Sequence, residues 1–285
     1  MNETKPTISA CIISYNQQDY IAETLEGALK QELDVPYEIV VSDDCSTDNT
    51  PQIIAEYAKK DHRVRVVKNL KNVGMHGNWL QAIEACNGEF VALCEGDDVW
   101  TDNHKLAKQL AILESDSDLS ASFTNANILE FDGNLSRNAY VALNQTTFTA
   151  NDLLALHYNP VPTCTLMFRK SHFNGFPAAY YQSPFADRIL HTLLILKGNY
   201  AFLNLSTATY RKNDSGVWSG IKVKKQHQNI IKSLQVIESI VPSAPQKQLV
   251  RKSIRKQLDL MLYHYRDAHD YVAYLKTWLK LKAIA

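Results

Sequence analysis

The chain has 285 residues, of which 45% are hydrophobic and 21% charged; these values are typical of a globular protein with a buried core. Its formal net charge is zero, but residues 221–285 carry 13 Lys and Arg against 4 Asp and Glu, which leaves the rest of the chain acidic. An acidic body with a basic tail does not match a nucleic-acid-binding protein, whose positive charge covers the surface that contacts its ligand.

The first hundred residues alternate between short apolar segments and segments with helical spacing of apolar residues. Continuous apolar character predicts buried strands at 7–14, 37–44, 63–69 and 89–94. Helices are predicted at 21–31, after the polar segment YNQQDY, and at 50–60 and 78–86. This alternation is typical of a parallel sheet that helices cover on both faces.

The rest of the chain has a less regular pattern. Helices are predicted at about 102–114 and 184–198, and the chain reads as helical from about 222 onward. Strands are predicted at 161–169 and 201–211, whereas 121–131 gives no clear pattern.

Polar residues follow each of the four strands of the first hundred residues. These clusters are SYN (14–16), SDD (42–44), KNLKNVG (68–74) and EGDD (95–98). Because ligands of such sheets bind at the carboxyl ends of the strands, we expect the four clusters to converge on one crevice.

Three acids, Glu95, Asp97 and Asp98, crowd into four positions after the fourth strand. A hard divalent cation such as Mg²⁺ or Mn²⁺ prefers oxygen ligands and would offset the repulsion between these carboxylates. The alternative is a helix start, since Asp97, Asp98 and Asp102 would favour the N-terminus of the helix that follows.

Asp43 and Asp44 end the second strand and leave a similar choice open. A carboxylate here could accept hydrogen bonds from a nucleobase N–H or a ribose hydroxyl, or SDDCSTDNT could simply supply turn and cap residues. Acids do not bind phosphate unless a metal lies between. The two acidic strand ends therefore suggest one site for a nucleoside and one for metal-bridged phosphates.

The five cysteines have neither metal-site nor CxxC spacing, which predicts free thiols in a reducing compartment. The start of the sequence lacks the basic and apolar regions of a signal peptide, and no apolar run approaches the length of about eighteen residues that a membrane span requires. We therefore predict a cytoplasmic chain, with any membrane contact peripheral.

Four stretches together cover most of residues 7–110: TISACIISYNQQDYIAETLEGALKQ, YEIVVSDDCSTDNT, NLKNVG and FVALCEGDDVWTDNHKLAKQ. In this order and spacing they resemble the family 2 glycosyltransferases, bacterial enzymes of the GT-A fold that use nucleotide sugars. SPFADRILHTLLILKGNYAFL followed by TATYRKNDSGVWSG is a less specific match to the acceptor-side half of that family.

The resemblance implies an α/β fold of GT-A (Rossmann-like) type, with a mixed, mainly parallel sheet flanked by helices and a C-terminal helical extension. It assigns 1–220 to the catalytic domain, with a nucleotide-sugar half at 1–100 and an acceptor half at 101–220. Residues 221–285 form the basic C-terminal helical extension.

The resemblance also assigns roles to the first two polar clusters. Asn16, with its neighbours Ser14 and Tyr15, would border the nucleotide. Asp44, with Asp43, would hold the base or the ribose.

The same comparison places Asn72 and Gly74 near the base or the diphosphate. The family's Asp-x-Asp motif corresponds to Glu95-Gly96-Asp97 here, with Glu in the first position. Asp97 is then the expected direct ligand of Mn²⁺ or Mg²⁺, Glu95 the contact to ribose or donor sugar, and Asp98 a residue that serves either site.

Asp187, in PFADRIL, matches the catalytic base of the family, and the alternative is a solvated acid near a helix start. Inverting transfer needs such a carboxylate to remove the acceptor hydroxyl proton. Asn213 and Asp214 would lie on a loop over the diphosphate or form a turn. Trp218 would stack on the acceptor or pack the lid.

The basic segment from 222 onward contains Leu, Ile, Tyr and Trp between its charges. Basic amphipathic helices pack on their own domain, pair two subunits, or lie on an anionic membrane. We expect packing or homodimerisation for most of the segment and a weak inner-membrane contact for its last turns.

These observations together predict an inverting, metal-dependent glycosyltransferase that uses a UDP-sugar. Its acceptor would be a saccharide, free or lipid-linked, of a surface polysaccharide such as O-antigen or capsule. One alternative is a sugar-phosphate nucleotidyltransferase, although SYNQQDYI lacks the Gly-rich, Arg-containing loop of that class. The other is a non-catalytic nucleotide-sugar-binding or scaffolding protein.

Overall fold

The computed structural model describes residues 5–137, 145–213, 216, 218 and 220–283. Within them the strands are β1 Ile8–Ser14, β2 Tyr37–Asp43, β3 Val64–Lys68, β4 Phe90–Glu95, β5 Val99–Trp100, β6 Leu119–Leu129, β7 Leu135–Arg137, β8 Thr147–Phe148, β9 Met167–Arg169 and β10 Asn199–Arg211. The helices are α1 Ile21–Leu29, α2 Thr50–Lys60, α3 Gly74–Ala85, α4 Lys105–Ser115, α5 Ala150–Ala155, α6 Asp187–Ile195, α7 Val223–Ile240, α8 Ala244–Asp267 and α9 Tyr271–Ala283.

These strands join one sheet, in which the long pairs are parallel and the short pairs antiparallel. The strand order is β3-β2-β1-β4-β9-β6-β10-β5, with β7 paired to β6 and β8 paired to β10. Parallel pairing joins β1 to both β2 and β4, β2 to β3, and β6 to β10. The predicted mixed, mainly parallel sheet flanked by helices is confirmed.

The first four strands lie within one residue of their predicted bounds because uninterrupted apolar sequence drives their burial. Every residue of β1 is buried, as are the first five residues of β4. Helix α1 packs so tightly that a Cβ added to Gly27 would lie 2.7 Å from the carbonyl oxygen of Trp100. Glycine at this position therefore allows α1 to contact the strand β5 that follows the acid cluster.

Two segments differ from the sequence predictions. The predicted strand 161–169 is a short 3-10 turn at Thr163–Thr165 followed by the three-residue strand β9. The turn closes when the backbone N–H of Thr165 donates to the carbonyl of Pro162 over 2.9 Å. Conversely, 121–131 gave no clear pattern but lies mostly within β6, whose parallel pairing to β10 stabilises it.

The described chain separates into two compact units. The first comprises Met1–Phe148, Val161–Gly175 and Lys197–Lys212 and contains the sheet. The second comprises Thr149–Pro160, Phe176–Leu196 and Asn213–Ala285 and contains helices α5 to α9. The predicted boundary at 220/221 stays a prediction.

Helices α7 and α8 form the core of the second unit. Buried apolar residues on α7 include Leu234 and Ile237, and those on α8 include Ile254 and Leu258. Between them, the hydroxyl of Ser243 caps α8 by accepting the N–H of Gln246 over 3.3 Å. Of the helices described, none combines the length and apolarity needed to cross a bilayer.

Candidate active site

The carboxyl ends of β1 to β4 line up at the same edge of the sheet. The parallel register places Ser14 beside Asp43, Asp43 beside Lys68, and Ile13 beside Glu95. The four polar clusters therefore meet at this edge, as the strand pattern predicted.

Asp43 and Asp44 are both buried, and each holds a different loop. The carboxylate of Asp43 accepts the hydroxyl and backbone N–H of Ser46 over 2.5 and 3.0 Å, which closes a turn. Asp44 Oδ1 accepts the side-chain amide of Asn69 over 3.0 Å and the backbone N–H of Val73 over 2.8 Å. Asp43 thus acts as a turn residue, while Asp44 ties the end of β2 to the 69–73 loop. Their contact with a nucleoside stays a prediction.

The cluster after β1 is held by Asn16, which adopts a positive φ of 52°. Its side-chain oxygen accepts the backbone N–H of Thr47 over 2.8 Å and so joins the loops that follow β1 and β2. Tyr15 is 47% exposed. The buried Ser14 hydroxyl has no hydrogen-bond partner among the described residues. The exposed ring and the hydroxyl leave this strand end able to contact a ligand.

The cluster after β3 leads directly into α3. Asn72 accepts the backbone N–H of Gly74 over 3.0 Å, and Gly74 has a positive φ of 76° that favours glycine. Nothing lies within 4 Å of where a Cβ would stand on Gly74, so the backbone is open there. A buried residue that sequence reasoning missed, Asn78, donates to the carbonyl of Ser42 over 3.1 Å. No pattern distinguished Asn78 from an ordinary helix residue.

The EGDD turn is fixed by contacts from α1 and β1. Gly96 donates its N–H to the carbonyl of Ile13 over 2.9 Å. The hydroxyl of Thr24 donates to the carbonyls of Gly96 and Asp98 over 2.9 and 2.6 Å. Glu95 and Asp97 are half-buried, whereas Asp98 is 1% exposed. The acids therefore sit on a rigid turn rather than on a mobile surface loop.

Asp98 is a buried carboxyl group beside a second acid. Its Oδ1 accepts the backbone N–H of Arg211 over 2.9 Å, while its buried Oδ2 accepts no N–H or O–H from the described residues, and the weakly donating Cys164 thiol lies beside the carboxyl group. Burial and the neighbouring Asp97 carboxylate raise the pKa of Asp98 well above its usual value. A bound cation would favour the ionised form of this carboxyl group.

The helix-start alternative does not fit Asp97 and Asp98. Strand β5 follows them directly, and α4 begins only at Lys105. The acid that serves this helix start is Asp102, which accepts the backbone N–H of His104 over 2.9 Å.

The described part of the site nevertheless contains no preformed metal cage. Within the described residues, no group of three or more His, Cys, Asp and Glu side chains could hold a metal ion. Mg²⁺ bound with a nucleotide needs only one or two carboxylates, because phosphate oxygens and waters complete its coordination. Asp97 and Asp98 fit such a cation arriving with a diphosphate, and they do not fit one held by the protein alone.

Two basic residues behind the acid turn were missed from the sequence. The guanidinium of Arg211 donates to the Asp97 carbonyl over 2.8 Å and pairs with Glu23 over 2.6 Å. Lys105 is fully buried, donates to Gln109 over 2.7 Å, and has its pKa lowered by burial to about 8. Arg211 lies 113 residues from Asp98, so only the strand topology could reveal that contact.

Asp187 is the first residue of α6 in the second unit. Its Oδ2 accepts the side-chain amide of Asn159 over 2.8 Å, and its Oδ1 accepts the backbone N–H of Arg188 over 2.6 Å. The carboxylate is thus half-buried and oriented, unlike a fully solvated acid at a helix start.

Asn213 and Trp218 are also in the second unit. The carbonyl of Asn213 accepts the N–H of Gly216 over 3.2 Å, which fits the turn interpretation. The Trp218 ring lies edge-on to Phe185 with centroids 5.5 Å apart and stays 39% exposed, so it has both packed and accessible surface. Asp214 lies outside the described residues.

Comparison with known proteins matches residues 9–175 to the family described as glycosyl transferase family 2. An uncharacterized protein of Mycobacterium tuberculosis, Rv1520, is 33% identical over 213 residues, which are 74% of this chain and 60% of that protein. The putative teichuronic acid biosynthesis glycosyltransferase TuaG of Bacillus subtilis is 37% identical over 133 residues, 47% of this chain and 52% of TuaG. The chain therefore spans little more than half the length of these relatives.

Two solved structures share the fold. TarS of S. aureus, residues 1–349 with UDP-GlcNAc, superposes with a TM-score of 0.63 at 19% identity, covering 95% of this chain and 90% of that one. The mannosyltransferase PcManGT of Pyrobaculum calidifontis, with GDP-Man and Mn²⁺, gives a TM-score of 0.65 at 16% identity, covering 99% and 85%. The fold is GT-A, and the chain belongs to glycosyl transferase family 2, a family of glycosyltransferases.

Proposed function

We propose that this family 2 glycosyltransferase is an inverting, metal-dependent enzyme that transfers a sugar from a UDP-sugar to a saccharide acceptor. The observation that carries the proposal is the acid turn: Asp98 is buried with one carboxylate oxygen that accepts no N–H or O–H from the described residues, and Asp97 lies beside it. An ionised carboxylate buried in this way is unfavourable unless a ligand such as a cation compensates its charge.

In this proposal the strand ends bind the nucleotide and the acid turn binds its diphosphate. Asp44 holds the base or ribose at an edge that Asn16 and Asn72 border. Asp97 and Asp98 hold Mn²⁺ or Mg²⁺, with Glu95 toward the ribose or donor sugar. The bound cation would stabilise the charge that grows on the departing diphosphate.

Asp187 removes the proton from the attacking acceptor hydroxyl. Its two hydrogen-bond donors, Asn159 and the Arg188 backbone, occupy one lone pair on each oxygen and leave further acceptor capacity on both. A general base of this type contributes about 10²–10⁴-fold to the rate.

The nucleotide is the first point to test, because the fold is shared by TarS, solved with UDP-GlcNAc, and by PcManGT, solved with GDP-Man. The test is calorimetric titration of UDP, GDP, dTDP and CMP, each with Mn²⁺ and with EDTA. We expect tight binding only for UDP, and only when Mn²⁺ is present. Preference for another nucleotide would replace the UDP assignment. Absence of binding for all four would remove the main support for the proposed donor site.

We place the reaction in surface-polysaccharide biosynthesis, such as O-antigen or capsule, on a lipid-linked acceptor at the inner membrane face. The relative TuaG, named for teichuronic acid biosynthesis, supports this assignment. Helix α9 supports the membrane contact, because Val272, Leu275 and Leu279 share one face and are each more than half exposed. Lys276 and Lys280 add positive charge to the same helix, which suits an anionic bilayer.

We expect the protein to float with anionic liposomes at low salt and to dissociate at high salt. Replacing both Leu275 and Leu279 by Ser should weaken flotation several-fold, whereas Leu135→Ser, an exposed leucine of the first unit, should not. Unchanged flotation of the double variant would exclude α9 as the membrane contact. Concentration-dependent dimerisation that the double variant abolishes, without liposome binding, would assign the face to homodimerisation instead.

A further inference from the structure

Asp187 contacts the segment 149–160, which has no role in the proposed function. The contacting residue, Asn159, lies 28 positions before Asp187 in the sequence. Asn159 lies in this segment and donates its side-chain amide to Asp187 Oδ2 over 2.8 Å. A hydrogen bond from a neutral amide to a carboxylate favours the ionised form and restricts rotation of the carboxyl group.

Asn159 is held in place from the C-terminal helix α8. The hydroxyl of Ser253 donates to the carbonyl of Leu154 over 3.0 Å, and the side-chain amide of Gln257 donates to the carbonyl of His157 over 2.5 Å. Ser253 and Gln257 are both almost fully buried, so water competes little for these two bonds.

The opposite end of the same hydrogen bond is held from α6. Arg188, the residue after Asp187, is 8% exposed and donates to the carbonyl of Leu156 over 2.6 Å. Burial lowers the pKa of Arg188 to about 10, so it stays charged at neutral pH and attracts the Asp187 carboxylate. The 154–159 segment is thus anchored to the helix that carries Asp187 and to α8.

We propose that Asn159 is a positioning residue that orients the Asp187 carboxylate for proton removal, and that α8 holds Asn159 in place. This inference rests on the proposed role of Asp187 as the general base. It gives the basic C-terminal helices a part in the chemistry, beyond packing or membrane contact.

The two roles that Asn159 could have, donating to Asp187 or filling space, are separated by an isosteric variant. Asn159→Asp keeps the shape but replaces the N–H donor with a carboxylate that repels Asp187. Asn159→Ala removes the donor without adding charge. If Asn159 acts by donating a hydrogen bond, activity should fall from wild type to Asn159→Ala and further to Asn159→Asp. If it acts by filling space, Asn159→Asp should retain more activity than Asn159→Ala.

The measurement is UDP release from UDP-GlcNAc, or from the sugar of whichever nucleotide binds best, with kcat and KM determined separately. We expect Asn159→Ala to lower kcat about tenfold and Asn159→Asp about a hundredfold, with KM and calorimetric nucleotide affinity changed less than twofold. Asn151→Ala, an exposed asparagine on α5, is the matched control and should behave as wild type. Thermal unfolding confirms that each variant folds.

The inference is overturned if Asn159→Ala keeps the wild-type kcat, or if the kcat of Asn159→Asp equals or exceeds that of Asn159→Ala. If the Ala variant does not fold, Asn159→Ser, which keeps a donor, must exceed Asn159→Asp for the inference to stand. Asp187→Asn distinguishes a failure of the proposed general base from a failure of the proposed role of Asn159. Full activity in Asp187→Asn refutes both the general base and this inference. If Asp187→Asn is inactive while the Asn159 variants keep wild-type activity, only this inference is refuted.

Discussion

Asp187→Asn is expected to lower the turnover of nucleotide sugar by about 10²–10⁴-fold, the contribution of a positioned general base. The substitution preserves the shape of the side chain and one acceptor oxygen but removes its capacity to take a proton. The affinity for the nucleotide, measured by calorimetry, should stay within about twofold of wild type, because the proposed base acts on the acceptor and not on the nucleotide. The measurement is release of the free nucleotide diphosphate at saturating donor.

Asp259→Asn is the matched control for this experiment, since Asp259 is an exposed acid on α8 in the same unit. It should retain wild-type turnover and nucleotide affinity. If Asp187→Asn also retains wild-type turnover, the general base is another group. If wild type releases no nucleotide from any sugar donor while binding the nucleotide tightly, the result would favour the alternative of a non-catalytic nucleotide-sugar-binding protein.

The first half of the sheet and its polar edge could be predicted because their signals are local. An uninterrupted apolar run marks a strand in a parallel sheet, and the residue after its end lies at the ligand edge whatever the distant sequence does. The placement of Asp44 and Asp97 at this edge followed from that rule, whereas the roles predicted for them came from the family resemblance. The distinction between half-buried Asp97 and buried Asp98 did not, because it depends on Arg211, which reaches Asp98 through β10.

The second unit was harder to predict because its contacts join segments far apart in sequence. The bond between Asn159 and Asp187 spans 28 residues, and the bond that holds the His157 carbonyl comes from a position 100 residues away. Neither has a periodic signal. Assigning 221–285 to a separate extension followed its basic composition, whereas its buried polar residues Ser253 and Gln257 contact the segment that presents Asn159.

Asp97→Ala is expected to abolish the gain in UDP affinity that Mn²⁺ provides. In wild type, the affinity for UDP with Mn²⁺ should exceed the affinity in EDTA by about 100-fold, equivalent to about 3 kcal/mol, because the proposed cation would link the carboxylates to the diphosphate. In the variant, the affinity for UDP should be the same with Mn²⁺ and with EDTA, and equal to the weak affinity of wild type in EDTA. The proposed nucleoside contacts at the ends of β1 and β2 lie on other strands than Asp97 and should still provide that residual affinity.

Asp116→Ala, which removes an exposed acid at the end of α4, controls for the loss of one negative charge and should keep the full Mn²⁺ effect. The comparison also distinguishes the two adjacent acids. Asp98 is buried and tied to the backbone of Arg211, whereas Asp97 is only half-buried and therefore more accessible to solvent. A variant at Asp97 that keeps the full Mn²⁺ effect would therefore move the metal ligand to Asp98 or Glu95. If Asp97→Ala loses the Mn²⁺ effect while its affinity in EDTA is unchanged, Asp97 is the metal ligand, and the incoming nucleotide completes the coordination of the cation.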